Sequence, residues 1–190
     1  MLSPELTEGP NWVANHLTRR NVVAGRPGMP LTLRLTVANA ASCTPIANAD
    51  VEIWHADAGV VYSAVAGGGG GGSASPTDKS RFLRGHQRAS ATGLVIFDTI
   101  YPGWYLGRTP HIHLKVSVGG NAIHTGQLFF ADAVSDVVYR TAPYAARGAR
   151  QGTNASDGIF AQGGAHSTLK LAKRATARGY TGAIRLGVRA

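Results

Sequence analysis

The tripeptide His111-Ile112-His113 is the feature of the sequence best suited to metal chemistry. Side chains alternate along a β-strand with a period of two, so both imidazoles would point to one face and could share a metal ion. Alternate residues from Ile112 to Val118 are apolar and would pack into the core on the opposite face. The pattern predicts a two-histidine metal site, and its alternative is a pair of surface histidines on a solvated strand.

The residues around this pair narrow the type of metal site. A cupin-type site would place a glutamate a few residues after the histidines, but the chain continues Leu114-Lys115-Val116-Ser117. A facial triad for ferrous iron lacks its carboxylate for the same reason. The lone Cys43 excludes a thiolate cluster and an internal disulfide. A zinc hydrolase with a third histidine stays open, and its candidate ligands are His55, His86 and His124.

Composition indicates an ordinary globular protein with one domain over residues 1–190. No apolar stretch is long enough to span a bilayer. The net charge of +9 is spread along the chain without a nucleic-acid-reading motif, so we expect no nucleic-acid and no membrane partner. The opening MLSPELTEGP has no secretory-signal pattern, so the cytoplasm is the default location. Export applies instead if Met1 is not the native start.

Alternating apolar and polar residues predict several short strands separated by Gly, Pro and Asn turns. That arrangement favours a mostly β fold, an antiparallel two-sheet β-sandwich with long active-site loops and little helix. Ser167 to Arg178 is the best helix candidate, and the glycine run from Ala66 to Ser75 predicts a mobile surface loop. The predicted strands are Leu31 to Val37, Asp50 to Ala56, Leu94 to Thr99, His111 to Val118, Thr125 to Phe130 and Gly182 to Val188.

Five segments, in order, resemble the intradiol ring-cleaving dioxygenases of the protocatechuate, catechol and hydroxyquinol type. The opening TEGPNW is similar to the family's TEGP-aromatic start. ADVEIWHADAGVVY resembles the strand and turn that close on an iron-binding tyrosine. FLRGHQRASATGLVIFDTIYPGWY ends, as in the family, on Pro-Gly-x-Tyr. RTPHIH matches Arg-x-x-His-x-His, and TGQLFFAD is similar to the segment with a substrate-pocket glutamine.

The resemblance implies an Fe(III) enzyme that cleaves catechol-type rings between the two hydroxyl-bearing carbons with O2. The products would be cis,cis-muconate-type diacids. Arg108 would stabilise negative charge that develops on the ring, and Gln127 would orient the substrate. Tyr105 would be the iron ligand that the substrate displaces. Tyr101 is the alternative residue for this ligand position. The implied iron ligands are Tyr62, Tyr105, His111 and His113.

The chain also departs from the family pattern. Only Leu106 and Gly107 separate Tyr105 from Arg108, whereas protocatechuate enzymes have a longer loop there. This departure leaves open which catechol-type compound is the substrate, and O2 is the expected co-substrate. The helical dimerisation region of the catechol and hydroxyquinol members has no counterpart before Leu31, and homo-oligomerisation stays open. The alternative to an enzyme is a binding or interaction module on the same sandwich.

Overall fold

The computed structural model describes residues 2–14, 17–65 and 81–189. The predicted glycine loop from Ala66 to Ser75 lies outside these ranges. In the described residues, two four-stranded sheets pack face to face, one in the order β4-β1-β8-β7 and one in the order β3-β2-β5-β6. The predicted two-sheet β-sandwich is confirmed. The strands are β1 Pro30–Asn39, β2 Asp50–Trp54, β3 Arg84–Arg88, β4 Leu94–Ile100, β5 His111–Val118, β6 Asn121–Phe129, β7 Lys170–Lys173 and β8 Tyr180–Val188.

The predicted strands match six of these elements, but three features of the fold differ from prediction. The helix predicted at Ser167 to Arg178 is wrong, because this stretch contains the edge strand β7. The α-helix lies instead at Asp132–Val138, here α1. The polar strand β3 was not predicted. Strand pairing is antiparallel except between β1 and β8, which run parallel.

The remaining ordered elements are short. Four 3₁₀ helices cover Tyr144–Arg147, Asn154–Ser156, Phe160–Gln162 and Gly164–Ser167. Within the described ranges, no helix has the length and apolarity to cross a membrane.

The inner faces of the two sheets share one hydrophobic core. Leu31, Leu33 and Leu35 of β1 are fully buried and pack in the same cluster as Ile112 and Leu114 of β5. Burial of this row fixes the register of β5, since a slip of one residue would exchange its two faces. The other face of β5 therefore carries His111 and His113 away from the core.

Strand register aligns four side chains across this outer face. Arg84 pairs with Trp54, Trp54 with His113, and His113 with Gln127, so one residue comes from each of the four strands of the sheet. Trp54 stacks on His113 with ring centroids 5.1 Å apart and planes 7° from parallel. This row of four side chains, hereafter called the floor, lies on the outer face of the sheet.

Two loops above this floor touch through Asp57 and Gly103. The Gly103 N–H donates to the Asp57 carbonyl at 3.1 Å. An added Cβ on Gly103 would lie only 2.5 Å from that carbonyl oxygen. The Asp57 carboxylate accepts from the Val61 N–H at 2.8 Å and also pairs with Arg26. The close approach therefore sets the spacing between the loop that leads to Tyr62 and the loop that leads to Tyr105.

His55 links the end of β2 to β4. Its Nδ1–H donates to the Ala56 carbonyl at 2.8 Å, so its Nε2 accepts from the Thr99 hydroxyl at 2.7 Å. The side chain is buried, and burial lowers the pKa of His55 to about 4. His55 is therefore neutral in the folded protein near neutral pH.

Gly103→Ala should separate the two tyrosine-bearing loops, because the new methyl group would clash with backbone rather than with a flexible side chain. We expect a loss of about 1–3 kcal/mol in the free energy of unfolding, measured with urea. Gly158→Ala is the matched control, since nothing lies within 4 Å of its added Cβ. Equal stability of the two variants would contradict this role of Gly103.

His55→Gln should make the protein less sensitive to acid. Below the unfolded pKa of about 6.5, an unfolded chain binds a proton that buried His55 refuses until about pH 4. Stability is therefore lost as the pH falls through this window, at roughly 1.4 kcal/mol per pH unit for such a histidine. The variant should show a shallower slope in urea titrations across the same window. An unchanged slope would contradict the neutral, buried state of His55.

Candidate active site

The four side chains predicted to bind metal lie together on the outer face of the β3-β2-β5-β6 sheet. The ring centroids of His111 and His113 are 4.8 Å apart. Tyr105 is 5.6 Å from His111, and Tyr62 is 6.1 Å from His113, both between ring centroids. Tyr62, His111 and His113 are almost fully buried, whereas Tyr105 is partly exposed. The alternative of two histidines on a solvated strand face is therefore wrong.

Hydrogen bonds of defined direction link Tyr105, His111 and the Thr109 carbonyl. The Thr109 carbonyl can only accept, so the contact of 2.8 Å assigns the proton of His111 to Nδ1. His111 Nε2 is then an acceptor, and the Tyr105 hydroxyl donates to it at 3.0 Å. Tyr62 lies beside Tyr105, and each phenol affects the pKa of the other. The lone pair of His111 Nε2 therefore points towards the Tyr105 phenol.

Burial sets the protonation of the site. It lowers the pKa of His111 to about 3 and that of His113 well below its usual range, so both imidazoles are neutral near neutral pH. Burial also raises the pKa of both phenols, for Tyr62 well above 10. The nearby charge of Arg108 opposes this shift at each phenol. In the metal-free protein the site therefore consists of neutral donors beside cationic side chains.

Arg108 and Gln127 flank the four donors and contact each other. An Nη2–H of Arg108 donates to Gln127 Oε1 at 2.5 Å, and Gln127 Nε2 donates to the Thr7 carbonyl at 2.9 Å. Arg108 also lies near Tyr105, where its positive charge lowers the pKa of that phenol. On its other side, Arg108 Nε–H donates to Asp157 Oδ2 at 2.9 Å. All six predicted site residues thus occupy one contiguous region.

The N-terminal segment forms one wall of this region. The Leu6 N–H donates to the Thr125 carbonyl at 3.0 Å, which pairs the segment with the edge of β6. Gly9 then passes over His113, and a Cβ added there would lie 3.1 Å from the His113 Cε1 atom. Lys115 pairs with Glu8 and lies 3.9 Å from the Trp12 ring centroid. The TEGPNW motif therefore closes over the imidazole face.

Three residues of the site were not predicted from the sequence. Trp54 stacks on His113, and its position opposite the histidine strand is set by strand pairing. Arg84 is almost fully buried, and its guanidinium donates to the Ser63 carbonyl, next to Tyr62. Asp157 lies in a segment without a strand or helix pattern. Only the rule that a buried charge needs a partner could have suggested Asp157.

The rival ligands lie elsewhere or have their polar atoms engaged. Tyr101 is buried against α1, where its hydroxyl lies 2.7 Å from Ser135 Oγ. Both nitrogens of His55 are hydrogen-bonded, and His124 Nδ1 pairs with Glu5. His86 Nε2 lies 2.8 Å from the Thr18 hydroxyl. Across residues 2–14, 17–65 and 81–189, no three His, Cys, Asp or Glu side chains cluster as metal ligands. A three-histidine zinc site therefore has no support in the described part of the chain.

The donor set fits a trivalent, oxygen-preferring cation. Two phenols can become anionic oxygen ligands beside a strong positive charge, and two neutral imidazoles can add nitrogen ligands. His113 Nδ1 is buried and has no hydrogen-bond partner among the described residues. An unpaired buried nitrogen leaves a polar requirement unmet by the surrounding side chains. Tyr62, Tyr105, His111 and His113 are therefore suited to holding ferric iron.

Comparison with solved structures gives strong similarity over the whole chain. An intradiol ring-cleavage dioxygenase from Tetranychus urticae is 34% identical, with a TM-score of 0.91 over 100% of this chain and 95% of the other. The dioxygenase domain of a dioxygenase carbohydrate-binding protein fusion from Streptomyces sp. SirexAA-E is 26% identical, with a TM-score of 0.71 over 100% and 99% of the two chains.

A more distant similarity extends to larger enzymes. Catechol 1,2-dioxygenase from Acinetobacter sp. ADP1 is 22% identical and shares the fold, with a TM-score of 0.68 over 98% of this chain and 62% of the other. No family model and no curated protein matches the chain. The identity of 34% over the full length, together with the site geometry, shows that the chain belongs to the intradiol ring-cleavage dioxygenase family.

Proposed function

We propose that this chain is a non-haem Fe(III) dioxygenase that opens catechol-type rings between the two hydroxyl-bearing carbons. Tyr62, Tyr105, His111 and His113 hold the iron. One dioxygen adds to one catechol without loss of atoms, so the product is a cis,cis-muconate-type diacid. Membership of the family supports ring cleavage in general. Beyond ring cleavage in general, we propose the iron, its four ligands and the diacid products.

The observation that carries the proposal is the convergence of two buried phenols on two neutral imidazoles. Tyr105 is hydrogen-bonded to His111, Tyr62 lies beside Tyr105, and His113 lies against both Tyr62 and His111. A purely structural role does not require neutral imidazoles with two phenols directed at them. Bound ferric iron supplies a Lewis acid that favours the phenolate form of Tyr62 and Tyr105 and of the substrate.

The protein groups around these donors supply proton transfer and charge stabilisation. Tyr105, which is less buried than Tyr62, would in its phenolate form be the group that accepts a proton from the incoming catechol. Arg108 borders Tyr105 and presents fixed positive charge where the ring becomes electron-rich, which is where preorganised donors contribute most. Gln127 is held by Arg108 and Thr7 and orients the substrate through its amide.

The rim of the site is compatible with catechol-class substrates and does not distinguish between them. Leu106 and Gly107 form a tight turn between Tyr105 and Arg108, and the Leu106 residue is 76% exposed. No long loop from this turn covers the donors. Oxygen uptake with catechol, protocatechuate and hydroxyquinol is the experiment that ranks the substrates. A binding module on the same fold would consume no oxygen with any of them.

Tyr62→Phe should shift and weaken the visible charge-transfer band of iron-loaded protein, because it removes one of the two phenolates that give this band. His111→Ala should lower the iron content, because it removes one of the four ligands. Tyr101→Phe is the matched control, since Tyr101 is also a buried tyrosine but bonds Ser135. We expect absorption spectra of the control to keep the band. An unchanged band in Tyr62→Phe, or an unchanged iron content in His111→Ala, would contradict the ligand assignment.

Arg108→Ala should retain the iron and its band but lower kcat by about 100-fold, the loss typical of one preorganised charge-stabilising donor. Steady-state oxygen uptake measures this loss. Arg20→Ala is the control, because Arg20 is exposed and pairs with Asp98 away from the site. Equal turnover of the two variants would remove Arg108 from the proposed mechanism.

A further inference from the structure

Asp157 is a buried carboxylate with both oxygens fully engaged. Oδ2 accepts from Arg108 Nε–H at 2.9 Å and from the Thr109 N–H at 2.9 Å. Oδ1 accepts from the N–H groups of Ile159 at 2.8 Å and Phe160 at 3.2 Å. The side chain is 0% exposed, and that of Arg108 is 17% exposed. The contact between them is therefore a shielded ion pair with a defined geometry.

The segment that carries Asp157 is itself tied to the site. Asn154 accepts from the Thr109 hydroxyl at 2.7 Å and donates to the Phe130 carbonyl at 2.9 Å. An added Cβ on Gly152 would lie 2.4 Å from the Arg108 carbonyl oxygen, so the backbones of the two segments pass in close contact. The segment that carries Asp157 is therefore held in place by contacts other than the ion pair with Arg108.

Two of these contacts bear on neighbouring catalytic groups at once. Thr109, whose N–H binds Asp157, offers its carbonyl to His111 Nδ1–H. Arg108 uses Nε for Asp157 and Nη2 for Gln127, so the guanidinium plane is fixed at two of its nitrogens. A free arginine side chain loses rotamer entropy when it is ordered. Here the carboxylate imposes that order before substrate binds.

We propose that Asp157 is a positioning residue that presets the Arg108 guanidinium for ring cleavage. The inference rests on the proposed function, in which Arg108 stabilises negative charge on the substrate ring. Asp157 acts through Arg108 and touches neither substrate nor iron. Its loss should therefore weaken stabilisation of the transition state more than binding of the substrate, and should lower kcat and kcat/KM together.

The first test is independent of iron and activity. The Arg108 Nε–H, bonded to a buried carboxylate, should give a protected signal in nitrogen-15 NMR spectra of the iron-free full chain, assigned by its loss in Arg108→Lys. Asp157→Asn should expose this proton and speed its exchange by about 10-fold or more. Asp132→Asn is the matched control, because Asp132 accepts from the same segment at Asn154 N but does not contact Arg108. The control should leave the signal protected.

The second test is a double-mutant cycle on iron-loaded protein. Asp157→Asn should keep the iron band and lower kcat/KM by about 10- to 100-fold with little change in KM. In an Arg108→Ala background the same change should cost less than about twofold, because its target is gone. An equal loss in both backgrounds would overturn the proposal in favour of a role in folding alone.

The two tests separate failure of this proposal from failure of the proposed function. A wild-type protein without an iron band or ring cleavage would contradict the function, whereas the NMR signal would still decide whether Asp157 fixes Arg108. If Asp157→Asn does not fold, wild type is still compared with Arg108→Lys. The positioning role would be overturned if wild type showed no protected Arg Nε–H signal that disappears in Arg108→Lys.

Discussion

The site depends on the alternation of side chains along β5. Ile112, Leu114 and Val116 are buried between the sheets, and this burial fixes the register that carries His111 and His113 to the outer face. A slip of one residue would place imidazoles in the core and apolar groups at the site. The energy that fixes the histidines is therefore core packing, supplied on the face that does no chemistry.

Covering loops then convert an outer sheet face into a buried site. The N-terminal segment, the linked loops before Tyr62 and Tyr105, and the segment around Asp157 shield the imidazoles from water. Desolvation keeps both imidazoles neutral and raises the pKa of both phenols. Arg84 and Arg108 place positive charge beside Tyr62, the phenol that a bound cation would convert to an anion. Burial thus keeps the imidazoles unprotonated, whereas it keeps the phenols in their protonated form until a cation is bound.

The sequence predicted the sandwich and the six strands whose apolar residues alternate. The strand β3 was not predicted, because its residues are mostly polar. Its Arg84 side chain faces the site and not the core. Prediction also failed at β7, whose Lys170 and Lys173 lie within the stretch predicted as a helix, Ser167 to Arg178. These lysines lie on an exposed edge strand, a position where charge prevents further strand pairing.

The site residues show a similar division. Tyr62, Tyr105, His111, His113, Arg108 and Gln127 could be named because they lie in short motifs with a fixed order along the chain. Asp157 is 49 residues from Arg108, and no local pattern announces that contact. Trp54 likewise gains its place from cross-strand pairing. Contacts made through tertiary structure were therefore beyond sequence reasoning, although they hold the predicted residues in position.

Anomalous diffraction at the iron edge, from crystals of the iron-loaded protein, tests the central assignment most directly. The account predicts one strong iron peak among the Tyr62 and Tyr105 hydroxyls and the His111 and His113 imidazoles. An iron peak bound by other side chains, or full occupancy of these four donors by hydrogen bonds with no iron, would contradict it.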